Sequence, residues 1–484
     1  MSAGEPLPNK RPSSRWRLLA FYGLSLAVTV ALFFAIRAVG EKLPTPAGDA
    51  PASAIAANPA PPAAATKPVQ VLPRLLAALA AVIIVGRVLG IVLGWIGQPP
   101  VIGEVIAGIL LGPSLLGWIC RDWFGLPQSP LLPPDVAPYL GVIAQLGVIL
   151  YMFLVGVDFN TELLKSHVHA ATAISHASIL APFLLGSLLA LGIFGRLAPA
   201  EVSFTSFALF MGVAMAVTAF PVLARILTDR NMSRTELGVL ALSCAAVDDV
   251  TAWCLLALVA GVVQSQVSGA LSVIGLSLVY IAAMLLVVRP IAGRLIRRVE
   301  HNGLGPTAIA VIFAALLVSA LTTEWIGIHA VFGAFLLGVT VPHDSRIAKS
   351  LSSGLEQVVT VLLLPAFFAY TGMRTQIGLI SGWENWLICG LIIVVASVGK
   401  FGGTLAAARF AGLDWRMGSA LGVLMNTRGL MELIVLNIGL DLGVISPTLF
   451  AMMVIMALVT TMATAPLLAL LESNASARTA GQVA

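Results

Sequence analysis

Leu237-Gly238-Val239-Leu240-Ala241-Leu242-Ser243-Cys244-Ala245-Ala246-Val247-Asp248-Asp249-Val250-Thr251-Ala252-Trp253 is an apolar run interrupted at its centre by two adjacent carboxylates, and it continues apolar to Val263. A helix of that length crosses the ~30 Å hydrocarbon core of a bilayer. One charged side chain at the bilayer centre costs at least ~2.5 kcal/mol. Two like charges side by side cost more, unless a proton, a cation or a basic partner neutralises them. The pair therefore reads as an ion or proton site inside a membrane. Neighbours on a helix are 100° apart, so both carboxylates can border one cavity. A structural ion pair would explain one of them and leave the other uncompensated.

The rest of the chain agrees with a membrane setting. Of 484 residues, 59% are hydrophobic and only 10% charged, against roughly 25% charged in a soluble domain. This composition describes an all-α polytopic membrane protein. The net charge of +5 does not indicate nucleic acid, because in such a chain the placement of basic residues matters more than their sum. Cys120, Cys244, Cys254 and Cys389 show no metal or redox spacing and read as small buried hydrophobes. No Walker A sequence supports ATP-driven pumping, and no cofactor is expected.

Trp16 to Val39 follows Lys10, Arg11, Arg15 and Arg17. It is either a cleavable signal or an extra transmembrane helix, and its length favours the helix, giving a first unit of 1–40. Residues 41–70 are Ala- and Pro-rich and read as a linker. Thirteen spans follow over 71–471, near 71–97, 100–118, 138–156, 168–195, 204–227, 236–263, 269–288, 306–323, 325–342, 355–372, 386–409, 417–440 and 446–471. Residues 472–484 form a tail expected to be too short to fold. With the first helix the number of crossings is even, so both termini share one side. Lys10, Arg11, Arg15, Arg17, Lys165, Arg225, Arg230, Arg234, Arg289, Arg294, Arg297, Arg298, Arg346, Lys349, Arg409, Arg416 and Arg478 fall on that side, and fewer basic residues lie opposite. The asymmetry places both termini in the cytoplasm.

Two spans are interrupted at their middles. The fifth carries Thr218-Ala219-Phe220-Pro221, and the Pro221 ring removes a helix hydrogen bond. The twelfth carries Asn426-Thr427-Arg428-Gly429. They stand seven spans apart, an odd number, so equivalent spans would run in opposite directions. Spans two and nine share the offset and a likeness, Ala107-Gly108-Ile109-Leu110-Leu111-Gly112 beside Gly333-Ala334-Phe335-Leu336-Leu337-Gly338. Paired breaks at an inverted offset fit the secondary-transporter plan, in which discontinuous helices cross near the midplane.

Thr218-Ala219-Phe220-Pro221-Val222-Leu223-Ala224-Arg225, then Val247 to Trp253, then Met425-Asn426-Thr427-Arg428-Gly429-Leu430-Met431-Glu432-Leu433, together resemble the monovalent cation:proton antiporter-2 family, especially the branch with plant cation/proton exchangers. The likeness covers roughly 71–471. It implies a 13-helix inverted-repeat antiporter fold with two discontinuous crossing helices, plus the extra N-terminal helix, in a homodimer of a bacterial inner membrane. Helices about 71–156 and 306–372 would form the dimer scaffold, and about 168–263 and 386–471 the moving core. Asp249 matches the acid that binds the transported cation and proton. Asp248 matches a position that is Asp in electrogenic relatives and Asn in electroneutral ones, and Lys400 matches its basic partner. Kef-type relatives add a nucleotide-binding domain without counterpart here, so nucleotide gating is not expected.

The residues themselves leave alternatives. Lys400 lies mid-span, where pairing with Asp248 competes with snorkelling to the interface. Arg428 and Glu432, four apart on one face, read as a structural pair bracing the broken twelfth span. Thr218 could offer oxygen to a cation beside Asp249 or bond within its own helix. Ser243 is too far from the pair for a role. Glu104 reads as a first-turn residue near Arg87, and the histidines, mostly flanking loops, are weak candidates for pH sensing.

The expected chemistry is competition. A desolvated carboxylate beside a like charge can take either a proton or a cation, Na⁺ or K⁺. If the core crosses only when neutralised, exchange follows without ATP. Half-helix carbonyls and opposed dipole ends would balance the charge. A cation channel is the first alternative, but a lysine beside two acids at the narrowest depth would block one. An intramembrane aspartyl protease is the second; its two aspartates should converge from different helices. Here the two are neighbours on one helix, and no enzymatic activity is expected.

Overall fold

The computed structural model describes residues 13–44, 71–125, 132–158, 163–233, 235–264, 267–302 and 305–483. All regular elements among them are helices. The linker expected over 41–70 falls outside the described residues from 45 onward. Helix α1 (Ser13–Gly40) stands before it and α2 (Val71–Trp95) after it. Then come α3 (Pro100–Leu111), α4 (Leu116–Phe124) and α5 (Ala137–Asp158). The long α6 (Leu163–Leu197) leads to α7 (Phe204–Ala216), α8 (Phe220–Asp229) and α9 (Glu236–Gln264). After α10 (Val267–Ala283) a π turn at Met284–Val288 passes into α11 (Arg289–Asn302). The second half holds α12 (Pro306–Ile326), α13 (Ala330–Thr340), α14 (Arg346–Val358) and α15 (Leu364–Arg374). It ends with α16 (Trp383–Phe410), α17 (Trp415–Met425), α18 (Leu430–Asp441) and α19 (Pro447–Val483).

Twelve described stretches are long and apolar enough to cross a membrane, the bent α17–α18 pair makes a thirteenth, and the apolar α13 is shorter. Four boundaries differ from the sequence expectation. The second span is interrupted after Leu111, where Pro113 lacks a donor, and continues as α4 to Phe124. The seventh runs past residue 288 into α11, where four arginines continue the helix. The tenth begins early, as the amphipathic α14, and enters α15 through a π turn at Val359–Leu363. Residues 472–483 are helical instead of an unfolded tail. They prolong α19, so no new helix nucleus has to form.

The inverted repeat is visible in what packs on what. Helix α3 lies on α15, and α13 lies on α5; each is one half's second span against the other half's third. Likewise α6 and α16, the fourth spans of the two halves, lie along each other. Small residues allow these approaches: a Cβ on Gly338 would stand 2.8 Å from Gly156 Cα. Helices α2, α3, α5, α12, α13 and α15 thus pack as one group, and α6, α7, α9, α16, α17 and α19 as another. Helix α1 joins the second, resting on α6 and α7, with Phe33 against Phe183. Large apolar side chains cover the outer faces, among them Leu76, Ile84, Leu278, Val279, Val318 and Leu321. The interior holds large apolar side chains such as Phe153 and Phe207 together with the buried charges Asp248, Lys400 and Arg428, which are kept from the lipid.

Both broken spans lie in the second group. Val217 at the end of α7 is extended, and Pro221 sits in the first turn of α8, where its missing N–H is no loss. The α17–α18 pair bends by 46°. The two breaks touch directly: the Ala219 N–H donates to the Thr427 carbonyl at 3.0 Å. At Gly429 a Cβ would meet Val222 Cγ2 at 2.8 Å, so a side chain there would push the half-helices apart.

Candidate functional site

Each break exposes helix ends inside the protein, with electron-rich carbonyls at one end and N–H donors at the other. The chain places a charge of opposite sign at each. The last carbonyls of α7 meet two buried cations. Lys400 Nζ donates to Ala216 at 2.5 Å, while the Arg428 guanidinium donates to Ala214 at 3.0 Å and to Met215 at 2.6 Å. At the other side of the break, the Phe220 N–H at the start of α8 donates to the Asp249 carboxylate. Half-helix carbonyls were expected to help balance the charge of the site, and these three receive Arg428 and Lys400.

The two aspartates have different surroundings. Asp248 is fully buried and accepts from four side chains: Lys400 Nζ at 2.8 Å, Thr218 Oγ1 at 2.7 Å, Ser178 Oγ at 3.0 Å, and Ser175 Oγ. Its charge is matched and both its oxygens are engaged. Asp249 is nearly as buried, yet its Oδ1 has no hydrogen-bond partner among the described residues. A buried carboxylate oxygen in that state is costly, and a proton or a small cation is what satisfies it. The arrangement can therefore hold one fixed negative charge on Asp248 and offer a second, on Asp249, to exchangeable positive charge.

The structure thus brings Asp248, Lys400 and Thr218 together, with Asp249 one residue away at the head of α8. The Thr218 hydroxyl faces Asp248, with the Met425 carbonyl 3.2 Å from it, and does not face Asp249. Pro221, Asn426 and Gly429 sit at the two breaks. Arg428 and Glu432 form a buried ion pair at 3.0 Å. The pair does more than brace its own helix, because Arg428 also holds the end of α7. Ser243 bonds back to the Val239 carbonyl, in keeping with no part in the site. Glu104 lies beside Gly86, in the second turn of α3 and not in its first. The side chains of His167, His169 and His301 fall outside the described residues. Ser175 and Ser178 were not anticipated. Their signal was present as two hydroxyls three apart, on one face of an apolar helix.

A polar link joins the two packing groups away from the aspartates. Arg374 on α15 pairs with Asp441 at 2.6 Å and donates to Asn437 Oδ1 at 3.1 Å, while Asn437 donates to Thr371 at 2.9 Å.

Crossed half-helices around buried, partly unsatisfied acids in a bundle of inverted repeats are the architecture of a secondary transporter. The chain belongs to the sodium/hydrogen exchanger family, whose transmembrane region matches residues 73–470. Among its relatives is the Na(+)/H(+) antiporter NhaS4 of Synechocystis sp., 42% identical over 81% of this chain and 96% of that protein. Cation/H(+) antiporter 17 of Arabidopsis thaliana is 38% identical over 82% of this chain, which spans 48% of its length. K(+)/H(+) antiporter 1 of Saccharomyces cerevisiae is 32% identical over 76% of this chain and 43% of its own length. The solved sodium proton antiporter MjNhaP1 of Methanocaldococcus jannaschii superimposes with a TM-score of 0.61, covering 81% of this chain and 95% of that one at 14% identity. That likeness establishes the fold. Membership in an exchanger family sets the chain apart from enzymes and gives no support to a channel or a protease.

Proposed function

We propose that this protein exchanges a monovalent cation, Na⁺ or K⁺, for protons by alternating access. Asp249 is the group for which cation and proton compete. The observation that carries this reading is the contrast within the pair: Asp248 is saturated by Lys400 and three hydroxyls, whereas Asp249 keeps a buried oxygen without a partner. A proton or a cation on Asp249 satisfies its partnerless buried oxygen and lets the core move; an empty carboxylate there holds it back.

The packing suggests what moves. The group holding α6–α9 and α16–α19 would be the core, sliding against a scaffold of α2–α5 and α12–α15 that also forms a homodimer. Both termini would lie in the cytoplasm of a cell whose inner membrane holds the protein. Lys400 makes the cycle electrogenic. Cation entry weakens the Lys400–Asp248 bond and lets Lys400 lose its proton, so two protons leave for each cation bound. The relatives named for Na(+)/H(+), K(+)/H(+) and cation/H(+) antiport agree with the exchange.

The test is transport in proteoliposomes with a pH-sensitive dye inside, Na⁺ and K⁺ titrated separately, under a valinomycin-set potential for the Na⁺ series. Cation-dependent collapse of the pH gradient is expected, at a rate that follows voltage. No exchange with either ion would overturn the function. Exchange indifferent to voltage would leave the antiport and overturn the part given to Lys400.

A further inference from the structure

The exchange cycle gives Ser175 and Ser178 no task, yet both are fully buried on α6 and both reach Asp248 on α9. Ser178 Oγ stands 3.0 Å from Asp248 Oδ2 and 3.2 Å from Oδ1, and Ser175 Oγ donates to Oδ1. Close packing of α6 on α16 puts them there. Gly399 and Gly403 flank Lys400 and leave room for α6. A Cβ on Gly399 would stand 2.8 Å from Pro182 Cα, and one on Gly403 2.7 Å from the Ala177 carbonyl oxygen. Lys400 and the two serines therefore meet one carboxylate from neighbouring helices.

Ser178 has one hydroxyl hydrogen and two groups to receive it. Its Oγ is 2.8 Å from the Ser175 carbonyl in its own helix and 3.0 Å from Asp248 Oδ2. A serine hydroxyl rotates to suit whichever acceptor needs it. Thr218 has a similar choice, with Asp248 Oδ2 at 2.7 Å and the Met425 carbonyl at 3.2 Å. While the Lys400 ammonium lies against Asp248, the carboxylate can spare a hydroxyl. Once the ammonium is gone it can spare none, because a bare buried carboxylate is costly.

We propose that Ser175 and Ser178 are positioning residues that set how many protons are exchanged for each cation. They act through Asp248. As cation entry weakens the Lys400–Asp248 bond, the two hydroxyls turn to Asp248, fix its carboxylate and cover its charge. One proton then leaves Asp249 and one leaves the Lys400 ammonium, and Asp248 takes up neither. Without the serines, an opened pair would leave Asp248 with the Thr218 hydroxyl alone. The pair then stays closed and keeps its proton, and the cation exchanges with the Asp249 proton only.

This inference rests on the electrogenic exchange proposed above, and its test tells the two apart. Wild type, Ser178→Ala and the double variant Ser175→Ala, Ser178→Ala are placed in proteoliposomes. Thiocyanate at equal concentration on both sides holds the potential at zero. A tenfold gradient of the transported cation, Na⁺ or K⁺, is imposed, and the opposing pH gradient that stops net flux is found. Two protons per cation balance at about 0.5 pH unit, and one proton at about 1 unit. The balance point does not depend on how much protein is active, so a merely structural loss leaves it unmoved. Wild type should balance at about 0.5 unit, and the double variant near 1 unit. Ser178→Ala should move in the same direction and serves if the double variant does not fold. Variants that balance with a two-proton wild type would overturn the role of the serines. A wild type that balances at one proton overturns the part given to Lys400 and this inference with it. If wild type exchanges neither ion, it is the functional reading that falls.

Discussion

Replacing Lys400 with Met should destabilise the protein more than replacing Lys400 and Asp248 together. Lys400 Nζ is fully buried, 2.8 Å from Asp248 Oδ2 and 2.5 Å from the Ala216 carbonyl. At an effective dielectric of about 20, two unit charges at that separation attract by about 6 kcal/mol. Desolvation of both groups offsets much of this, so the pair's net contribution is small. Removing one partner is different. Methionine fills the volume but leaves Asp248 with three hydroxyl donors and no countercharge, and an orphaned buried charge costs about 3–5 kcal/mol. The double variant Lys400→Met, Asp248→Asn buries no net charge, and the amide oxygen keeps one set of hydroxyl donors while its NH2 donates to a hydroxyl turned to accept, so most of that cost should return. Thermal melting of purified protein in one detergent checks the order: wild type highest, the double variant next, Lys400→Met lowest. A single variant that melts with wild type, or a double variant that melts below the single, would refute the pairing as the source of the effect.

The breaks make a second prediction. Pro221→Ala and Gly429→Leu should each reduce exchange by at least about tenfold while the protein still inserts and melts cooperatively. The first favours a continuous helix, and the second drives a side chain into Val222, 2.8 Å from the first added carbon; wild-type turnover in both would mean that the interruptions are ordinary kinks. A third prediction concerns the extra helix. Glu41 receives Arg37 Nε at 2.7 Å and Thr205 Oγ1 at 3.2 Å, tying the end of α1 to the start of α7. The hydrogen bond from Arg37 holds its carboxyl below the usual value of 4.5. The tie is therefore fully present above that value and is lost as pH falls through the lower, folded one. The hydrogen-exchange protection factor at the end of α1, corrected for the intrinsic rate at each pH, should fall only below about pH 4.5 in wild type and be lowered already at neutral pH in Glu41→Gln, with exchange activity unchanged in that variant.

The sequence disclosed more of this site than of its supports. The Asp pair, Lys400 and the two interruptions stood out because each breaks a rule of apolar helices: a charge at the bilayer centre, or a proline or polar run at mid-span. The seven-span offset then gave the inverted repeat, and the structure adds the physical reason, the mutual packing of α3 on α15 and α13 on α5. What stayed hidden depended on partners far away in the chain. Nothing near Arg428 says that its guanidinium would cap α7, because Glu432, four residues on, already accounts for its charge. Ser175 and Ser178 are ordinary residues in a membrane helix until Asp248 lies against them. The division of labour between the aspartates was legible only through the family resemblance, which pairs Asp248 with Lys400; their own flanking residues do not distinguish them. Boundaries failed where helices leave the membrane, at α11, α14 and the end of α19, because apolar spacing stops there while hydrogen bonding continues.

The most direct measurement is exchange by Asp249→Asn in proteoliposomes, beside wild type and with matched melting curves to show that the variant is folded. The amide satisfies the Phe220 N–H and fills the same volume, but it cannot take up or release a proton and carries no charge for a cation. Cation flux driven by a pH gradient should fall to the level of protein-free liposomes with both Na⁺ and K⁺, at a melting temperature equal to or above that of wild type, since a buried unpaired charge has been removed. Undiminished pH-driven flux in a folded Asp249→Asn protein would contradict the assignment of Asp249 as the group that cation and proton share.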